Sequence, residues 1–217
     1  MNGFSGSPKL LKGGIVVADP VSLAVKRVIT LQYNPETVTR TLVVQGTGGG
    51  ERSEALRLTG PANETIKVDA ELDATDQLEF PDQNATALEV GLHPQIAVLE
   101  ALINPTVTEL VSGNTQLSLG TIEIAPTQAP LTLFVWSPQR IVPVRITEFS
   151  VVEDSFDERL NPIRAKVTLG MRVLSVDDLG FGHPGGTVFL GHLRRKEALA
   201  ARAKTGDLKA LGIGGIR

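Results

Sequence analysis

Cysteine is absent from the sequence, which excludes disulfides and thiolate metal sites and makes an intracellular origin the simpler expectation. Aromatic residues make up only 4% of the chain, too few for the stacking platforms that hold single-stranded nucleic acid. With one Trp and one Tyr, a sugar-stacking surface is equally poorly supplied. No apolar run reaches the ~18 residues that a membrane-spanning helix needs. Residues 1–8 lack the charged-then-apolar order of a signal peptide. Net charge is only -3, so no general attraction to nucleic acid is expected.

Catalytic constellations are missing as well. Of the three histidines, His93 precedes a proline, His183 lies among glycines and His192 precedes a basic stretch. None has a second histidine at metal-ligand spacing. There is no Gly-x-Ser-x-Gly elbow. The glycines at 46–50 are followed by Glu51-Arg52 rather than the Lys-Ser/Thr of a phosphate loop. The acids Asp69, Glu71, Asp73, Asp76, Glu79 and Asp82 lack the spacing of a calcium loop and read more simply as a solvated face. The expectation is a chain without catalysis, cofactor or metal.

What the sequence does have is hydrophobic content of 41%, enough for a core, and strong alternation. From Ile163 to Val173, Ile163, Ala165, Val167, Leu169, Met171 and Val173 fall on one side. Arg164, Lys166, Thr168, Gly170 and Arg172 fall on the other. Period two means a strand with one dry face and one wet, basic face. Residues 64–73 alternate in the same way, with Ile66, Val68, Ala70 and Leu72 opposite Thr65, Lys67, Asp69, Glu71 and Asp73.

Further strands are expected over 26–33 and 37–45, forming a hairpin-like pair around Asn34-Pro35. Others are expected over 131–136 and 141–152, with Pro143 marking an edge or a bulge. A weaker strand pair is read around Gly113-Asn114. One internal helix starts near Pro94, carries Ile96, Leu99, Leu102 and Ile103, and stops at Asn104-Pro105. Residues 1–14 and 46–50 read as loose. The four glycines and one proline of 180–186 are incompatible with a regular element and read as a hinge. A basic helix over 193–204 follows.

The wet face of the 163–173 strand, with Arg164, Lys166 and Arg172, has three readings. They are cross-strand pairing with acids such as Asp69 and Glu71, exposure to a lumen carrying charged cargo, and nucleic-acid binding. Pairing comes first and nucleic acid last. The C-terminal helix carries Arg194, Arg195, Lys196, Arg202 and Lys204 against Glu197 alone. It either packs on its own domain or, the favoured reading, docks on a neighbouring subunit.

Three blocks resemble the tube-domain proteins of contractile injection systems, the phage-tail-like machines. The first is Leu31-Gln-Tyr-Asn-Pro-Glu-Thr-Val-Thr-Arg40. The second joins residues 70–78 to the proline-initiated helix at 91–102. The third runs from Phe134-Val-Trp136 through Phe156-Asp157 to Pro162-Ile-Arg-Ala-Lys-Val167. Together they span about residues 25–175.

The resemblance implies a mainly β (α+β) fold, a tube-type β-barrel or sandwich with one inserted helix and a C-terminal helix. It divides the chain into a tube-like domain at 1–179 and a glycine hinge with a basic helix and tail at 180–217. It implies a structural, non-enzymatic protein at the baseplate–tube junction, forming a ring, expected to be a hexamer, that initiates the inner tube. The main inner-tube subunit is the alternative within that class, and a carbohydrate-binding β module the alternative outside it. Implied partners are copies of itself, the inner tube, the baseplate hub and the sheath, with no nucleic acid and no membrane insertion. Assembly would be cytoplasmic, within an intracellular or released particle. Subunit-interface candidates are Tyr33, Asn34, Pro35, Arg40, Phe156, Asp157, Arg164, Lys166 and Arg172. Family members often continue into a peptidoglycan-binding LysM module, which the hinge and helix replace here.

Overall fold

Alternation over 163–173 folds as the strand β7 (Pro162–Val173) in a computed structural model that describes residues 11–46, 57–118, 129–204 and 206–216. Val167, Leu169 and Met171 are each 0% exposed, while Arg164 and Lys166 on the other face are exposed. The strand β4 (Asn63–Asp73) runs antiparallel to it with Val68 opposite Leu169 and Ala70 opposite Val167, so the two dry faces coincide.

Seven strands make one antiparallel sheet in the order β2-β1-β5-β6-β7-β4-β3. The others are β1 (Gly14–Ala18), β2 (Val25–Thr30), β3 (Val38–Val43), β5 (Leu131–Ser137) and β6 (Arg140–Phe156). The fold class is thus mainly β with helices, as expected.

The hairpin expected around Asn34-Pro35 does not form. β2 pairs with β1 and β3 with β4, which puts the two at opposite edges of the sheet. Residues 31–37 instead run from one edge to the other. Gln32 Nε2 donates to the Asp73 carbonyl at 2.6 Å, and Asp73 N donates back to Gln32 Oε1 at 3.0 Å. In a flat sheet, β2 and β4 would lie five spacings of about 4.8 Å apart. The sheet therefore curls until its edges meet at this end. Leu31, 5% exposed, enters the same core as Ile66 and Met171.

Pro143 lies inside β6, a strand paired on both sides. The β6–β7 ladder ends at Val144–Val173, and only Leu174 N reaches the Pro143 carbonyl, at 2.8 Å. The missing N–H of Pro143 therefore points past the end of β7, where no ladder bond is lost. A bulge falls further on, between Ile146 and Glu148. There a Cβ on Gly170 would sit 2.7 Å from that of Glu148, which accounts for a glycine on the wet face.

The acidic stretch after β4, read from the sequence only as a solvated face, is helical: α1 (Thr75–Leu78), a 3₁₀ turn (Pro81–Gln83) and α2 (Ala85–Val90). The helix expected at Pro94 is α3 (His93–Glu100), with Ile96 and Leu99 buried; Ile103 lies beyond its end and is exposed. Residues 107–118, expected as strands, are the helix α4 (Val107–Ser118). Thr106 and Glu109 close a reciprocal cap there: Thr106 N donates to Glu109 Oε2 at 2.7 Å, and Glu109 N donates to Thr106 Oγ1 at 3.3 Å. That local cap outweighs the turn propensity of Gly113-Asn114. The rest of that expected pair, from 119 onward, lies outside the described residues, as do 1–10 and 47–50 of the segments 1–14 and 46–50 expected to be loose; of the remainder, Gly13 is held by Asn34, Gly14 opens β1 and Gly46 bridges Leu58.

Beyond β7 come α5 (Val176–Leu179) and α6 (Pro184–Arg202), then a 3₁₀ turn (Leu208–Leu211). Residues 180–183 do interrupt regular structure, between α5 and α6, but 184–186 of the same stretch are helical. Gly185 and Gly186 are buried in the first turn of α6. A Cβ on Gly186 would lie 2.2 Å from the Gly180 carbonyl oxygen, so the glycine permits a close packed corner rather than a hinge. Phe189 joins the core of the sheet, and Leu190 and Leu193 pack against it. A boundary at 179/180 therefore does not separate two cores.

Candidate functional site

Glu64 is the residue that breaks the pattern. It shares the dry face of β4 with Ile66, Val68 and Ala70, and is 5% exposed. A carboxylate there needs partners. Arg40, two places along on β3, brings Nε to 2.6 Å from Oε1. Lys196 on α6 brings Nζ to 3.1 Å from Oε2. Burial raises the affinity of Glu64 for a proton, but the Arg40 hydrogen bond and the Lys196 charge outweigh it and hold the carboxyl below its usual range.

Cations crowd this carboxylate. Arg140, the first residue of β6, is shifted down by burial and by the charge of Arg40, against the pull of Glu64. His192 on α6 is 2% exposed, and neither ring nitrogen has a hydrogen-bond partner among the described residues. Burial, then the charge of Lys196, push its pKa down to about 4, so it is neutral at pH 7. Arg195 Nε is also buried without a partner. The cluster sets one carboxylate against Arg40, Arg140, Arg195 and Lys196. Its chemistry is that of an anion-seeking, water-poor joint that clamps α6 to the sheet. No group of three or more His, Asp or Glu that could hold a metal occurs among the described residues.

The wet face of β7 adopts the first of its three readings. Lys166 pairs with Asp69 at 3.0 Å, and Thr168 Oγ1 donates to the same carboxylate at 2.7 Å. Arg164 pairs with Asp73 at 3.1 Å. Arg172 pairs at 2.6 Å with Asp178 on α5 rather than with a strand acid.

Asn34 fastens the entry to β1. Gly13 N donates to its Oδ1 at 2.9 Å, and its Nδ2 donates to the Leu11 carbonyl at 2.7 Å. Tyr33 and Pro35 border a groove of about 440 Å³ that Lys166 also lines. A neighbouring groove brings Tyr33 together with Arg164. Phe156-Asp157 forms the far tip of the β6–β7 hairpin. Asp157 accepts from Arg159 N, Asn161 N and Asn161 Nδ2, each at 2.8 Å. These bonds, the Asn161 side chain first, hold its carboxyl below the usual range. Phe156 beside it is exposed. Arg40 stands apart from the other interface candidates, in the Glu64 cluster.

Of the helix candidates, Lys196 is engaged in the chain's own Glu64 clamp. Arg194, Arg202 and Lys204 are exposed. The first part of α6 thus packs on its own sheet, which leaves the solvent side and residues 197–204 for any neighbour. Sequence reading missed the clamp, although its signal was present: Glu64 has the parity of the apolar set.

Both outer strands carry exposed apolar side chains, Val25 and Val28 on β2 and Leu42 and Val43 on β3. Neither has a strand on its outer side among the described residues. No helix among the described residues is long and apolar enough to cross a membrane. Compared with known proteins, the chain matches no family model and no curated relative.

Proposed function

We propose that the protein is a structural component of a contractile, phage-tail-like injection system, forming a ring at the baseplate–tube junction on which the inner tube starts to polymerise. The observation that carries the reading is the pair of sheet edges that have no outer strand among the described residues. β2 and β3 terminate one curled sheet and expose apolar side chains there. An unpaired edge of this kind templates another strand, a hazard in a monomer and a joint in an assembly. Copies joined edge to edge in a head-to-tail manner close into a ring when the rotation per copy closes. The order of the three tube-like sequence blocks supplies the choice of machine.

The ion-paired wet face of β7 fits a scaffold. Arg164 and Lys166 are held by acids of the same sheet and Arg172 by Asp178 of α5. The test is a seeding assay. Purified protein, added to the cognate tube subunit, should shorten the lag before tubes appear. An unchanged lag at every ratio would remove the initiator role and leave the inner-tube subunit as the alternative.

A further inference from the structure

Four cations surround the Glu64 carboxylate, and only two of them bond it. Arg40 and Lys196 do so at 2.6 and 3.1 Å. Arg140 and Arg195 belong to the same cluster and are in no ion pair among the described residues. The charge of Arg40 acts on Arg140, and the charges of Lys196, Glu64, Arg195 and Arg40 act on His192, so these groups lie within electrostatic reach of one another. Four positive charges against one negative leave three in excess.

This excess is not simply solvated. Arg195 Nε is buried without a partner among the described residues, and so are both ring nitrogens of His192, a residue that is 2% exposed. An unmet buried donor is costly, and a buried charge without a counter-charge more so. A water molecule satisfies such donors but leaves the excess of charge untouched. An anion answers both. Arg140 and Arg195 are only half-buried, so an ion reaches them from solvent.

The free donors come from two elements. Arg140 is the first residue of β6, whereas His192 and Arg195 lie on α6, three residues apart and therefore on one face of the helix. Each guanidinium offers a fork of N–H donors, and the imidazole donates from one nitrogen when neutral and from both when protonated. A carboxylate accepts only within one plane. A tetrahedral oxyanion accepts in several directions at once and carries two charges, which suits donors that arrive from different elements.

We propose that the cluster around Glu64 binds a free, doubly charged oxyanion of the sulfate or phosphate type, held by Arg140, Arg195 and His192. The ion ties β6 to α6 and adds a second joint beside the Glu64 clamp. Only the folded chain brings the donors together, so the ion stabilises the fold in proportion to its occupancy. It also favours a protonated imidazole. His192 faces Lys196 and Arg195 on its own helix, Arg40 on β3 and Glu64 on β4, a balance of three cations to one anion that a bound dianion offsets. The site is separate from the sheet edges and stands or fails independently of ring formation.

Isothermal titration calorimetry of the full chain with sodium sulfate, at an ionic strength held constant with sodium chloride, tests the site. Wild type should bind sulfate saturably. Sulfate stays doubly charged between about pH 7 and about pH 5, so tighter binding at the lower pH reports proton uptake by the protein. R140Q and R195Q should each bind at least about tenfold more weakly. R159Q, at the distant hairpin tip, should bind as wild type does. H192L should bind more weakly and lose the tightening at low pH. A thermal melt confirms that each variant is folded, and if one arginine variant is not, the other carries the comparison. Inorganic phosphate should compete with sulfate for the same site. Three outcomes overturn the proposal: no saturable heat beyond that of chloride, binding that R140Q and R195Q leave unchanged, or an equal loss in R159Q, which would reduce the effect to general attraction.

Discussion

Lowering the pH should weaken the clamp between α6 and the sheet through His192. The imidazole is 2% exposed, and its pKa is depressed from 6.5 to about 4. The charged groups that act on it are Lys196 and Arg195 on its own helix, Arg40 on β3 and Glu64 on β4, three cations against one anion. Between those two pKa values the unfolded chain binds a proton that the folded chain excludes. Stability from this group is therefore complete above pH 6.5 and is lost as pH falls toward 4. At about 1.4 kcal/mol per unit, the loss reaches about 2 kcal/mol by about pH 5 and approaches about 3 kcal/mol below pH 4. Carboxylates such as Glu64 and Asp157, whose ordinary values are 4.5 and 3.8, are lost only at lower pH, so the windows separate. The assay is urea denaturation at about pH 7 and about pH 5 on wild type and H192L. Leucine has nearly the volume of histidine and carries no proton or unpaired nitrogen. Wild type should lose about 2 kcal/mol more than H192L across that interval. Parallel losses in the two proteins would refute the reasoning and place the imidazole within reach of solvent.

Val167→Asp puts a charge at a position that is 0% exposed, in the middle of β7, and should abolish soluble expression. Glu64→Ala leaves Arg40 and Lys196 facing each other without their shared carboxylate and should cost about 3 kcal/mol in a denaturant titration. Truncation at Gly182 removes Phe189 and the clamp, so the product should be aggregated or protease-sensitive, whereas ending the chain at Arg202 should leave the melting curve unchanged.

Strands with one dry and one wet face were legible wherever period two ran unbroken, as in β7 and β4. Which strands pair was not, because adjacency in sequence mimics a hairpin. Asn34-Pro35 has turn chemistry, yet residues 31–37 cross between the sheet's two edges, and only the link from Gln32 to Asp73 reveals the curl. Short helices over 75–90 escaped detection because they are too brief to display a period. In the glycines at 180–186, absence of a side chain suggested freedom of motion, but Gly186 serves close packing against Gly180. The pairing of Lys166 with Asp69 followed from strand parity, since both lie on wet faces of neighbouring strands. The Glu64 cluster was encoded in the same parity, as the one acid in phase with apolar neighbours, but its cations come from β3, β6 and α6 and converge only in the fold.

The proposed ring depends on pairing between the two edges that have no outer strand among the described residues. Electron microscopy of the purified protein, alone and with its tube subunit, tests it most directly. Closed rings with a central opening should be seen, in which β2 of one copy lies against β3 of the next. Monomers at all concentrations, or rings in which both edges face solvent, would contradict it.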